Sequence, residues 1–109
     1  MRSTLLALAL GVWPLAAASQ QPQPVVSIAA AIRTLGSGDT VTVAGRATAG
    51  TGQLQSTVFD IALEDSSGGI RVFSRMLEAS VRVGDSIVTT GVVKTYRGNV
   101  EIIGTSLTV

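Results

Sequence analysis

The feature that most constrains this chain is a change of rhythm at Asp39. Between Ser27 and Leu35 the apolar residues Ile28, Ala31, Ile32 and Leu35 recur at helical spacing. From Thr40 onward, apolar and polar residues alternate one by one in short runs. Val41 and Val43 alternate with Thr40 and Thr42, and Gly45 and Ala47 continue the row. Phe59, Ile61 and Leu63 point one way, and Val58, Asp60, Ala62 and Glu64 the other. Ile70 and Val72 return to the inner row with Arg71 and Phe73 opposite, and Ile87, Thr89, Gly91 and Val93 form the inner row of Ser86–Tyr96. A period of two is the signature of a strand with one buried face.

Clusters of turn residues separate these runs: Gly50-Thr51-Gly52, Asp65-Ser66-Ser67-Gly68-Gly69, Val83-Gly84-Asp85 and Arg97-Gly98-Asn99. Val100–Ile103 forms the last main strand, and Leu107–Val109 pairs at the end. Gly45 inside a strand predicts a bulge or a sharp bend. Met76–Ser80 has the composition of a helical turn. Ser27 suits the cap of the leading helix, and Gly36 the left-handed residue beyond its end. The expectation is an all-β domain with a short N-terminal helix. Five strands are too few for a seven-stranded immunoglobulin sandwich. They fit a five-stranded, partly open Greek-key barrel, the OB-fold.

The first 24 residues stand apart from this pattern. Arg2 precedes an apolar run from Leu5 to Leu15, followed by Ala16-Ala17-Ala18. A basic start, a short apolar stretch and a small-residue end describe a secretory signal peptide over residues 1–18. The run is short of the roughly 20 residues that a spanning helix needs, and Pro14 interrupts it. Retention as an anchor is the alternative to cleavage, and no stable membrane span is expected in the mature domain. Residues 19–24, SQQPQP, read as a flexible leader, and residues 25–109 as the domain. The expected location is extracytoplasmic, either periplasmic or secreted.

Removing residues 1–18 takes Arg2 away and leaves seven basic and seven acidic residues. A neutral domain has no gross excess of charge for a polyanion. The chain has no histidine and no cysteine. It therefore has no imidazole base for a triad, no Cys/His zinc site and no disulfide framework. Lys94, the one lysine, lacks a Ser-x-x-Lys context. No catalytic residue, cofactor or metal is implied.

The segments Gly38–Gly45, Phe59–Ile70, Val83-Gly84-Asp85, Thr90–Val93 and Tyr96-Arg97-Gly98 resemble bacterial extracytoplasmic OB-fold domains. These are of the nucleic-acid-binding type attached to secreted nucleases and other exported multidomain proteins. The resemblance spans Val25 to Val109 and implies a ligand lying across the second and third strands. The face would carry Val58, Asp60, Ala62, Glu64, Arg71 and Phe73. The loops Ala49–Gln55 and Tyr96–Asn99 would bound it. Ala62 stands where related domains often carry an aromatic, and Asp60 and Glu64 add negative charge to the face. Arg71, Phe73, Lys94, Tyr96 and Arg97 remain as contacts for a strand of bases and phosphates.

Each candidate has a plainer reading. Phe73 covers the barrel beside the Met76–Val81 segment, Arg97 is solvated hairpin chemistry, and Asp60 and Glu64 belong to a solvated strand face. As a glycosidase pair those two carboxylates fail, because four strand residues separate them by about 13 Å, against the about 5–9.5 Å such chemistry needs. Glu64–Gly69 lacks the alternating acidic spacing of a calcium loop.

The resulting expectation is a non-catalytic, exported binding module, weakly holding single-stranded nucleic acid or another extended polymer. The alternative is an N-terminal extracytoplasmic sensory or scaffold domain of a longer membrane receptor such as a sensor histidine kinase. Its partners would then be downstream domains of the same chain. A third expectation, a small cationic ligand held by Asp60 and Glu64, rests on those two carboxylates being exposed together.

Overall fold

The computed structural model describes residues 24–34 and 36–109. The expected signal peptide and the expected leader up to Gln23 lie outside the described residues, as does Leu35.

The leading helix, α1, runs Ile28–Arg33. Ser27 is extended (φ −69°, ψ 153°), and its hydroxyl accepts from the Ala30 N–H at 3.1 Å. Ile28 and Ala31 are fully buried. Beyond the end, Gly36 has φ +74°, and a Cβ there would stand 2.6 Å from the Thr95 nitrogen. Glycine is required twice over, by the dihedral and by the contact. A two-residue strand, β1 (Val25–Val26), precedes the helix and pairs in parallel with Thr42 and Val43. Two residues carry no readable alternation.

Five longer strands follow: β2 (Thr40–Ala49), β3 (Phe59–Asp65), β4 (Gly68–Ser74), β5 (Ser86–Tyr96) and β6 (Asn99–Thr108). Neighbours run β2–β3–β4–β6–β5, and β5 pairs back onto β2, which closes the barrel. Among the described residues the fold is all-β with one short helix, as expected. β4 and β6 are parallel neighbours, and the other barrel pairs are antiparallel.

β2 closes the circuit by changing partners. Thr40–Arg46 pair with β5 and Arg46–Ala49 with β3, with a register shift between Ala47 and Ala49. The irregularity thus falls beyond Gly45. Gly45 serves a close approach instead: a Cβ there would lie 2.7 Å from the Glu64 carbonyl oxygen. The inner rows are as read from the alternation: Val43, Ile61, Leu63, Val72, Ile87, Thr89 and Val93 are all at or below 1% exposure. With Ile102 from β6, and with Ile28 and Ala31 from α1, the apolar ones form one core.

Two expectations are corrected. Val100–Ile103 and Leu107–Val109 do not form separate strands, because β6 runs continuously from Asn99 to Thr108 with a register shift opposite Thr90 and Gly91. Met76–Ser80 is not helical. The Ser74 hydroxyl accepts from the Met76 and Leu77 N–H groups, each at 3.0 Å, as a helix cap would, but the segment runs on to a tertiary tie instead of a helical turn. Val81, at the end of the segment, is buried and tied to Thr51 by Thr51 N–H to its carbonyl at 2.9 Å and by its own N–H to the Thr51 hydroxyl at 3.2 Å.

The β3–β4 turn is anchored to α1 by one carboxylate. Asp65 Oδ1 accepts from the Ser67 N–H (2.7 Å), the Ser67 hydroxyl (2.6 Å) and the Gly68 N–H (3.1 Å). Its Oδ2 accepts from the Ile28 N–H at 2.9 Å. These bonds, the Ser67 hydroxyl foremost, lower its pKa from 3.8 to about 2.

Candidate functional site

The strand order brings distant residues into rows on the outer surface. Asp60 faces Phe73, Phe73 faces Ile103, and Ile103 faces Val92. In the next row Ala62 faces Arg71, Arg71 faces Glu101, and Glu101 faces Lys94. Above these rows lies a cleft of about 620 Å³. One wall is the β2–β3 loop, through Gln55, Thr57 and Val58, and the other is the β5–β6 hairpin, through Tyr96, Arg97 and Asn99. Arg71, Phe73, Arg75, Lys94 and Glu101 line it between these walls. Five of the seven candidates, Arg71, Phe73, Lys94, Tyr96 and Arg97, therefore meet in one place.

The two aromatic rings each carry a guanidinium. Arg75 lies 5.4 Å from the Phe73 ring centroid, and Arg97 lies 5.3 Å from that of Tyr96. Tyr96 is 58% exposed, whereas Phe73 is partly covered. The β5–β6 turn is a two-residue loop with φ +52° at Arg97 and +83° at Gly98. Such a turn favours Asn, Asp or Gly at its first position. An arginine there costs about 1–2 kcal/mol of backbone strain. Non-glycine residues held in this way concentrate at binding sites.

Asp60 departs from its expected place. It is not on a solvated face but wholly buried, while Glu64 is exposed. Arg71 reaches diagonally from β4 to form a two-pronged ion pair with it, Nε to Oδ1 at 3.2 Å and Nη2 to Oδ2. Gln55 from the loop donates to Oδ2 at 2.8 Å. The hydrogen bond that Arg71 donates to Asp60 holds its guanidinium above the ordinary range, and the charges of Asp60 and Glu101 add to it. The two carboxylates thus present no joint exposed site for a cation. Asp60 instead orients Arg71 and fastens the loop wall.

Glu64 lines a neighbouring depression of about 640 Å³ that shares Arg71, Asn99 and Glu101 with the main cleft. Val58 lies just before β3 and is half-buried. Three contributors were not singled out from the sequence. Arg75 continues the Arg71–Phe73 alternation by two, a signal that was present. Glu101 reaches the site only because β6 lies between β4 and β5, and Gln55 only through loop geometry.

No protein-family model and no curated protein matches this chain. Solved structures do. An OBody bound to hen egg-white lysozyme superposes with a TM-score of 0.62 at 19% identity, over 80% of this chain and 93% of that one. A Leishmania major Friedlin protein assigned as an aspartyl-tRNA synthetase gives 0.62 at 10% identity, over 80% of this chain and 20% of that one. A chain of the S. pombe Stn1–Ten1 complex gives 0.52 at 17% identity, over 63% of this chain and 56% of that one. At these identities the likeness is one of fold: a closed five-stranded barrel resembling OB-fold proteins.

Proposed function

We propose that the chain is a non-catalytic, exported binding module that holds single-stranded nucleic acid along the outer surface of β3 and β4. The observation that carries this reading is the pair of arginine-capped rings, Phe73 with Arg75 and Tyr96 with Arg97, in one cleft. A strand of nucleotides asks for flat surfaces on which bases stack and for cations along the backbone. The cleft offers both on a rigid barrel, between two loops. Export rests on the pattern of residues 1–18, and the absence of catalysis on the lack of histidine and cysteine.

Titration of a labelled oligothymidylate of about 15 nucleotides, near the upper site size for one such barrel, tests the reading. Saturable binding is expected at about 50 mM salt and should weaken as salt rises. Phe73→Ala and Tyr96→Ala should each lower affinity by about 5–150-fold, the weight of one base–aromatic stack. Absence of saturable binding at about 50 mM salt would overturn the reading.

A further inference from the structure

The four cationic side chains in the cleft are not equally free. Arg71 is already held by the buried Asp60. Glu101 stands in β6 with Arg71 as its direct neighbour on β4 and Lys94 as its direct neighbour on β5. Residues opposed in this way have Cβ atoms about 4.5–5.5 Å apart. One partly buried carboxylate therefore faces two cations in the middle of the cleft. It closes no ion pair with either, since Arg71–Asp60 is the one salt bridge within 4.0 Å among the described residues. The middle balances, with Arg71 and Lys94 set against Asp60 and Glu101. The positive charge outside that balance is on Arg75 and Arg97, each over its ring. Those rings are well separated. Phe73 faces Ile103 and Tyr96 faces Asn99, so they are offset by about 13 Å along β6.

We propose that Glu101 is a specificity-determining residue of the cleft, occupying with its carboxylate the place between Arg71 and Lys94 where a phosphate of the ligand would otherwise sit. The proposal rests on the nucleic-acid reading above and says which ligands that site favours. Phosphates are held at the two aromatic flanks, and an uncharged base or sugar edge lies over the middle. A densely charged polyanion meets a carboxylate there and is disfavoured. Two engaged cations give a salt slope near −1.4, at about 0.7 per phosphate on a single strand.

The test compares the parent chain, Glu101→Gln and Glu78→Gln in oligothymidylate titrations between about 50 and 200 mM salt. Glu78 is exposed on the β4–β5 connection and outside the cleft lining, so its substitution makes the same change in net charge elsewhere. Glu101→Gln should bind about tenfold more tightly at low salt, the effect of one unit charge at about 6 Å in a half-solvated site. Its slope should steepen by about 0.7, because Lys94 becomes free for a further phosphate. Adding Lys94→Ala to Glu101→Gln should remove that gain. Glu78→Gln should stay within about twofold of the parent, because Glu78 is exposed outside the cleft lining, where solvent screens it. If Glu101→Gln binds like the parent, or if both substitutions shift affinity equally, the role of Glu101 is overturned while the nucleic-acid reading stands. If neither the parent nor Glu101→Gln binds the oligonucleotide, the reading itself fails and the role of Glu101 with it.

Discussion

Removing the partners of the Asp60–Arg71 pair one at a time should have unequal costs. The Asp60 side chain is fully buried, whereas that of Arg71 keeps 47% of its surface exposed. In Arg71→Ala the carboxylate stays out of water with Gln55 as its remaining side-chain partner. An uncompensated buried charge of that kind costs about 3–5 kcal/mol. In Asp60→Ala the guanidinium can turn into solvent, and only the net value of its charge-assisted bonds is lost, about 1.5–3 kcal/mol. The gap is therefore about 2 kcal/mol, and each kcal/mol moves the melting temperature of a domain this size by about 4–8 °C. Arg71→Ala should melt about 8–16 °C below Asp60→Ala. The double variant should sit close to Asp60→Ala, because the loss of Arg71 leaves nothing stranded once the carboxylate is gone. Thermal and urea unfolding followed by circular dichroism measure all three. If Arg71→Ala proved as mild as Asp60→Ala, the carboxylate would have to reach water, and the view of Asp60 as a buried anchor would fail.

Three further outcomes follow from the packing and the turns. Leu63→Ala should cost about 2–5 kcal/mol and Val58→Ala less than about 1; equal losses in urea unfolding would mean that the two faces of β3 are exchanged. At Gly91 an added Cβ would stand 2.3 Å from the Ile103 carbonyl oxygen, while at Gly98 it would meet nothing within 4 Å. Gly91→Ala should therefore destabilise by about 1–3 kcal/mol or more from overpacking, and Gly98→Ala by only about 1 from its left-handed dihedral; a Gly91→Ala protein that melts with Gly98→Ala would contradict the close β5–β6 approach. The depressed Asp65 pKa, about 2 against 3.8, makes its contribution to stability complete above about pH 4 and lost as pH falls through 2. Asp65→Asn should melt lower than the parent at neutral pH, with the difference shrinking between pH 4 and 2; a constant difference would show that the charge on Asp65 does not hold the turn to α1.

The barrel was legible because its inner rows obey a period of two that no long loop disguises. Val41/Val43, Phe59/Ile61/Leu63, Ile70/Val72 and Ile87 through Val93 each sit where the alternation puts them. The Arg97–Gly98 turn and the Ser27 cap were legible because each uses local chemistry. Tertiary partners decided the rest. Met76–Ser80 starts at a Ser74 hydroxyl placed like a helix cap but does not continue as a helix, because Val81 is drawn across to Thr51, a contact that composition does not encode. Asp60 alternates as an outward residue and does lie on the outer surface, yet Arg71 and Gln55 bury it. Side-chain periodicity reports the face and cannot report what covers that face. The cleft likewise needed the β4–β6 adjacency, a pairing between segments that the chain order separates.

That distinction also governs how charge should be read. A balanced total of basic and acidic residues suggests a surface without a preferred sign, but the two kinds of residue are used differently here. Asp65 is bound to the backbone of its own turn and of α1, Asp85 accepts from the Arg82 N–H at 2.9 Å, and Asp60 lies beneath Arg71. In a chain without cysteine, Asp60 and Asp65 join separate segments by hydrogen bonds where other small domains use disulfides. Their charge is thereby committed to N–H groups or to a guanidinium. Among the cations of the cleft only Arg71 has a comparable structural duty, through Asp60, and it collects there with Arg75, Lys94 and Arg97 on a domain of no net charge. Electrostatic attraction for a ligand depends on the charges within about a Debye length of it, about 8–10 Å at ordinary salt, and not on the total. At that range Glu101 is the carboxylate that counts first, because it alone among those that keep contact with solvent lines the cleft.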